Sequence, residues 1–146
     1  MWIDDKTWNQ LFGLVPRVTV EAMIFNKKGE VLLVERDMEP EKGKWHFPGA
    51  YVRLNEKVRD AVKRAAREEV GLTVDIVDFF KIYDYAENSR LHHPKGHIIA
   101  ISYICKSLQG ELKRNARFFS YSSKPKIMGF GHEAYLEDLR LEGFLK

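Results

Sequence analysis

The chain has 146 residues, 45% of them hydrophobic and 31% charged, enough apolar material for the core of one domain and too little bias for a disordered chain. Its formal net charge of +3 mixes 24 basic with 21 acidic residues, a balance that argues for no nucleic-acid partner. The longest nearly apolar run, residues 97–105, is far below the ~20 residues that cross a bilayer, and Cys105 stands alone, so a membrane protein and a disulfide scaffold are both excluded.

Residues 1–15 carry Trp2, Trp8, Leu11 and Phe12 at spacings that predict a short helix with one apolar face. Such a face needs cover from its own domain or from a second subunit, which raises a homodimer as one expectation. The opening Met-Trp-Ile-Asp-Asp lacks a basic-then-apolar leader, and with one cysteine the expected location is cytoplasmic. Residues 18–25 and 30–36 read as strands joined by the turn Asn26-Lys27-Lys28-Gly29. A polar loop at 39–44 leads into the short apolar segment Trp45-His46-Phe47-Pro48-Gly49-Ala50, and 51–53 reads as one more short strand.

Asn55 is the predicted N-cap of a helix over 56–70, whose buried stripe is Val58, Ala61, Val62, Ala65, Ala66 and Val70, with Gly71 as its stop. Further strands are predicted at 72–85, 97–106 and 111–119, and a closing helix at 132–139. Between 106 and 117 the chain has a basic bias that suits phosphate but reads more simply as a solvated strand edge bearing lysines. Strands interleaved with helices in one short chain predict an α/β (α+β) sandwich, a single domain over 1–146.

Glu68 and Glu69 close the long helix, where the macrodipole disfavours negative charge. At about 6 Å and an effective dielectric near 20, two carboxylates repel by roughly 3 kcal/mol. A divalent cation relieves that repulsion, and hard cations such as Mg²⁺ take oxygen ligands. Arg64, one turn earlier, is placed to orient Glu68. The competing reading is an exposed helix end paired with local cations.

From Gly49 to Leu72 the chain resembles the Nudix hydrolase signature: Gly, five residues, Glu, seven residues, then Arg-Glu-aliphatic-any-Glu-Glu-any-Gly-aliphatic. Arg64, Glu68, Glu69, Gly71 and Leu72 anchor the match, the earlier glutamate falls on Glu56, and Trp45 to Gly49 resembles the family's lead-in. Two positions depart: Ala50 replaces the opening glycine, and Ala65 replaces the glutamate after the arginine.

The resemblance implies a Nudix-type α/β/α sandwich with a mixed sheet and an Mg²⁺-dependent hydrolase, Mn²⁺ being an alternative ion. Glu68, Glu69 and the Ala50 backbone carbonyl would hold the metal, Glu56 would support Arg64, and Arg36 and Arg64 would meet phosphate oxygens. Loss of the acid at Ala65 implies weaker metal binding or fewer ions. Trp45, Phe47, Phe80 and Tyr83 are the expected substrate-stacking rings. The first half resembles the GDP-mannose mannosyl hydrolase branch. The second resembles the small ADP-ribose pyrophosphatases through His93-Pro94-Lys95-Gly96-His97 and Phe130-Gly131-His132-Glu133. Both branches imply a nucleoside diphosphate derivative as substrate. His132 is the nearest candidate for a late-loop base, with helix capping as its other reading. A non-hydrolytic binder of a nucleotide or partner, and nucleoside triphosphates as substrate, stay open.

Overall fold

In a computed structural model, which describes residues 3–87 and 91–146, strand β1 (Arg17–Phe25) runs through the middle of a seven-stranded mixed sheet. The expectations that rest on Trp2 and on part of the 87–96 stretch lie outside the described residues. The sheet order is β3 (Trp45–His46), β2 (Val31–Glu35), β1, β6 (Ile98–Gly110), β5 (Leu72–Asp84). Strand β4 (Gly49–Tyr51) pairs with β1, and β7 (Ala116–Phe119) pairs with β2. β1 lies parallel to β6, and every other pairing is antiparallel.

Alternation along β1 sorts its side chains onto two faces. Val20, Ala22 and Ile24 form a core with Ala61, Val62, Ala66 and Val70 of the long helix. Met23 faces the opposite way, into a second core with Tyr135, Leu136 and Leu139 of the closing helix α3 (His132–Leu141). One helix therefore covers each face, giving the expected α/β/α layering. On that second face, upstream of Met23, the same alternation places Arg17, Thr19 and Glu21, all buried.

The long helix departs from its sequence reading at both ends. Helix α2 (Val58–Ala65) starts after Lys57, and Asn55 is no cap but sits in a left-handed turn (φ 62°). The turn forms because Glu56 is occupied: its carboxylate accepts the Arg53 N–H (2.9 Å) and holds Arg64. At the far end the α-helix widens into a π-helical turn, Ala66–Val70, which carries both Glu68 and Glu69. Gly71 ends it at φ 80°, where a Cβ would lie 2.3 Å from the Glu111 carbonyl oxygen, so only glycine fits.

Helix α1 (Asp5–Phe12) is capped by Asp4, which accepts the Thr7 N–H (2.9 Å). Its Trp8 packs on Phe12 and on Tyr51 of β4, ring centroids 4.4 and 5.4 Å apart, so part of its apolar face is covered by its own domain. Leu11, Leu14 and Val15 stay exposed. Among the described residues no helix is long and apolar enough to cross a membrane.

Candidate active site

Two cavities meet beside the π-helical turn. An outer one of about 470 Å³ is lined by Glu35, Asp37, Glu68, Lys113, Arg114 and Asn115, among others. An inner one of about 230 Å³ is lined by Thr19, Glu21, Tyr51, Tyr85, His93 and Phe130. Arg36, His46 and Glu69 line both, and mark the junction.

Glu69 is the acid at that junction. The Gly49 N–H donates to its Oε2 at 2.7 Å. Burial pushes its carboxyl up to about 7, against the pull of that N–H and of the Arg36 and Lys113 charges. Glu68 is more exposed and lines the outer cavity only. The adverse helix-end charge is met in part by Lys113, whose ammonium bonds the Glu68 carbonyl while its N–H bonds Val70 (3.1 Å). The basic segment is a solvated strand edge only in part: residues 106–110 are the mostly exposed end of β6, β7 begins at Ala116, and Lys113, Arg114 and Asn115 of the loop between them wall the cavity.

Arg64 does not reach either cavity. Its Nε and Nη2 donate to the two oxygens of Glu56 (2.7 and 3.0 Å), Nη2 also to the Tyr51 carbonyl (2.8 Å), and Nη1 to Glu68 Oε2 (3.3 Å). The guanidinium holds the Glu56 carboxyl down at about 2. This corrects the expectation that Arg64 meets phosphate: its fork is spent on bracing the turn and β4. Arg36 keeps its place at the junction, its Nε held by the Pro40 carbonyl (2.6 Å) and its guanidinium over Phe130 (5.1 Å).

The expected carbonyl also shifts by one residue. Val52 donates to Val18 and Ala22 to Pro48, so bonded pairs in this ladder alternate through Val20↔Ala50. The Ala50 carbonyl thus turns toward β1, whereas the Gly49 backbone faces Glu69. Ala65 is buried at 1% exposure and lines neither cavity.

Three of the four expected stacking rings lie elsewhere. Tyr83 stacks on Tyr135 (3.7 Å) and donates to Asp138 (2.7 Å). Phe80 packs edge-on to Phe144, and Trp45 to Phe119. All three serve the core under α3, because β5 and β3 turn those faces toward the helix. Phe47 does line the inner cavity, fully buried against Tyr135 (5.9 Å).

Glu21, Thr19 and His46 were missed as site residues, and of the histidines only His132 was singled out. Glu21 lies opposite Gly49 in the β1–β4 register, and a Cβ on Gly49 would lie 2.3 Å from Glu21 Oε2, so the glycine makes room for the carboxylate. Burial and the neighbouring Glu69 push Glu21 well above the usual carboxylate range. The Phe47 N–H donates to His132 Nδ1 (3.0 Å), which fixes the ring proton on Nε2, 4.0 Å from Glu21 Oε1. His132 is the first residue of α3 after Gly131, so its ring is a buried anchor rather than a cap. His46 Nδ1 lies 2.7 Å from the Phe47 carbonyl and must be its donor, which leaves the lone pair on Nε2. Burial lowers His46 to about 4, so it is neutral at pH 7. The signal was present as Arg-x-Thr-x-Glu in an otherwise apolar strand, a period-2 polar stripe.

The donor set fits a hard divalent cation. Glu68 and Glu69 supply carboxylate oxygens, and Glu69 is buried without a full counter-charge. Among the described residues no three His, Cys, Asp or Glu side chains surround one point.

The NUDIX domain family profile matches residues 15–129, and the chain belongs to that family, the Nudix hydrolases. An ADP-ribose pyrophosphatase of Methanocaldococcus jannaschii is 34% identical over 130 residues, 86% of this chain and 73% of its own length. The low-salt glycan biosynthesis protein Agl8 of Haloferax volcanii is 42% identical over 74 residues, 51% of this chain and 47% of its own. The crystal structure of a MutT NUDIX hydrolase from Burkholderia pseudomallei superposes with a TM-score of 0.73 at 26% identity, covering 86% of this chain and 98% of that one.

Proposed function

We propose that this enzyme hydrolyses a nucleoside diphosphate joined to a sugar, with Mg²⁺ as its ion and the ADP-ribose class as its first candidate substrate. The observation that carries the reading is the junction itself: a buried carboxylate, Glu69, beside Arg36, between a charged cavity and one lined by rings and polar groups. A diphosphate at the junction would have one substituent directed into each cavity. The similarity to the Methanocaldococcus enzyme over 86% of the chain supports ADP-ribose. The order of Arg36, Trp45, Glu56 and Arg64 keeps GDP-mannose as the second candidate.

Glu68, Glu69 and the Gly49 carbonyl would hold the ion, which when bound neutralises diphosphate charge and polarises its oxygens. Arg36 and Lys113 would meet phosphate oxygens as charge develops on the leaving group. Arg64 acts at a distance, holding Glu56, Glu68 and the Tyr51 carbonyl in one rigid frame. The exposed Leu11, Leu14 and Val15 of the N-terminal segment support a homodimer, and a mass of one protomer by light scattering ends that part of the reading.

The test is incubation with Mg²⁺ and, separately, ADP-ribose, GDP-mannose and nucleoside triphosphates, followed by phosphorus NMR. Cleavage of a sugar nucleotide is expected, and oxygen-18 water then locates the broken bond. Binding without cleavage of any of them overturns hydrolysis of this class, and preferential cleavage of triphosphates overturns the substrate.

A further inference from the structure

Among the described residues, Glu21 Oε2 and Thr19 Oγ1 are buried and have no hydrogen-bond partner. Both belong to the same face of β1 and both line the inner cavity. Natural proteins rarely leave such atoms unmatched, since each costs the desolvation of a polar group. His132 does not satisfy Glu21, because 4.0 Å is beyond hydrogen-bond reach. At 9% residue exposure each, neither side chain has room to turn away into solvent.

The chemistry of the missing partner follows from the lining. Arg36 and Lys95 also line the cavity, so charge alone does not choose the ligand; the unmatched carboxyl and hydroxyl oxygens do, because they call for hydrogen-bond donors, which hydroxyl groups supply and an ionised phosphate does not. Phe130 is already taken: His93 stacks on it at 4.8 Å and Arg36 covers the same ring at 5.1 Å, so this ring is not free to stack on a base. The volume, about 230 Å³, falls below the ~300–1,000 Å³ of pockets that hold whole small-molecule ligands, and suits a single saturated ring. Residues two apart on a strand sit about 7 Å from each other, a span that hydroxyls across one monosaccharide ring bridge.

We propose that Glu21 and Thr19 form the floor of a monosaccharide subsite, the Glu21 carboxylate accepting hydrogen bonds from sugar hydroxyls and the Thr19 hydroxyl binding another. Their part is to set specificity for a diphosphate whose second substituent is a sugar. This rests on the sugar-nucleotide reading above and assigns residues to it.

The test compares the wild type with Glu21→Gln and Thr19→Val, using ADP-ribose, GDP-mannose and the methyl ester of ADP, which has a diphosphate but no second sugar. Specificity is read as kcat/KM for each sugar nucleotide over that for the methyl ester. Glu21→Gln is expected to lower this ratio roughly tenfold or more, and Thr19→Val a few-fold, mainly through KM. Mn²⁺ affinity without substrate, read by electron paramagnetic resonance, should stay with the wild type. An unchanged ratio, or a loss of Mn²⁺ affinity that accounts for the whole effect, overturns the assignment and makes Glu21 a metal ligand or a structural acid. Should the wild type cleave none of these compounds, the functional reading fails. Calorimetric binding of the same compounds then decides the subsite, and equal or absent binding in wild type and variant overturns it. Thr19→Val keeps the test open if Glu21→Gln does not fold.

Discussion

The outer cavity is walled by charged side chains within reach of solvent, whereas the inner one is floored by buried polar atoms between rings. They share Arg36, His46 and Glu69, yet they come from different kinds of chain. Of the outer cavity's charged residues, Glu68 and Glu69 stand on one helical turn, Lys113 and Arg114 on the loop 111–115, and Glu35, Arg36 and Asp37 at and just after the end of β2. The inner cavity draws on β1, β4, β6, Tyr85 just after β5, His93 and Lys95, and the start of α3. The site for charge is built from three short runs of consecutive residues, whereas the inner site takes single side chains from most of the sandwich.

The sharpest break between the two is Glu69→Gln. It keeps the size of the side chain and the neighbours at Gly49 but removes the charge at the junction. Turnover with Mg²⁺ should fall roughly 10²- to 10³-fold, the range for losing one group that supports developing charge. Mn²⁺ affinity should fall with it. Sugar-nucleotide specificity measured on residual activity should change little, since the inner floor is intact. A variant that retains full activity would remove Glu69 from the chemistry.

The junction also titrates in two opposed ways, which metal-free denaturation by urea will resolve. Glu69 is raised from 4.5 to about 7, so its contribution to stability is full below pH 4.5 and is lost as pH rises through 7. His46 is lowered from 6.5 to about 4, so its contribution is present above pH 6.5 and is lost as pH falls through 4. Each shift corresponds to roughly 3 kcal/mol across its window. Glu69→Gln should therefore gain on the wild type between pH 4.5 and 7, while His46→Gln should gain on it between pH 6.5 and 4. Added Mg²⁺ should erase the first gain by binding only the wild-type native state. Parallel pH curves for wild type and both variants would show that neither group is buried as described.

Arg64→Lys probes the frame rather than the junction. A single ammonium cannot replace a guanidinium that spans Glu56, Glu68 and the Tyr51 carbonyl. Activity should drop about 10- to 100-fold, as for other residues that orient ligands, and most of the loss should appear in Mn²⁺ affinity. A rise in KM alone would return Arg64 to the phosphate-binding role read from sequence.

The outer site was legible because its parts recur at fixed spacing: Glu56, Arg64, Glu68 and Glu69 declare themselves within 14 residues, and the layered fold follows from strand and helix periodicity. Four things were not. A π-helical turn leaves no periodic mark, so the helix read as continuous to Val70. Backbone direction in a three-residue strand depends on register, which is why Ala50 was taken for Gly49. Rings such as Tyr83 and Phe80 look alike in sequence whether they serve a core or a pocket, and the packing of α3 decided it. Glu21 was passed over because seven of the nine β1 residues are uncharged and the strand reads as apolar.

Trp8 offers the smallest and most selective effect. Its ring packs on Tyr51, which lines the inner cavity, and lies 6.0 Å from the Arg17 guanidinium. Arg17 in turn donates to the Tyr51 hydroxyl (3.3 Å) and remains over Phe12 (5.0 Å) if the tryptophan is removed. Trp8→Ala therefore removes two ring contacts, to Phe12 and to Tyr51, and one cation–π contact of about 0.5–1 kcal/mol, and Tyr51 loosens without losing its place. KM for a sugar nucleotide should rise two- to fivefold by that measure, with kcat held, because nothing at the outer cavity has moved. If kcat falls instead, the N-terminal helix supports the junction as well as the inner wall, and the separation between the two cavities is weaker than their linings suggest.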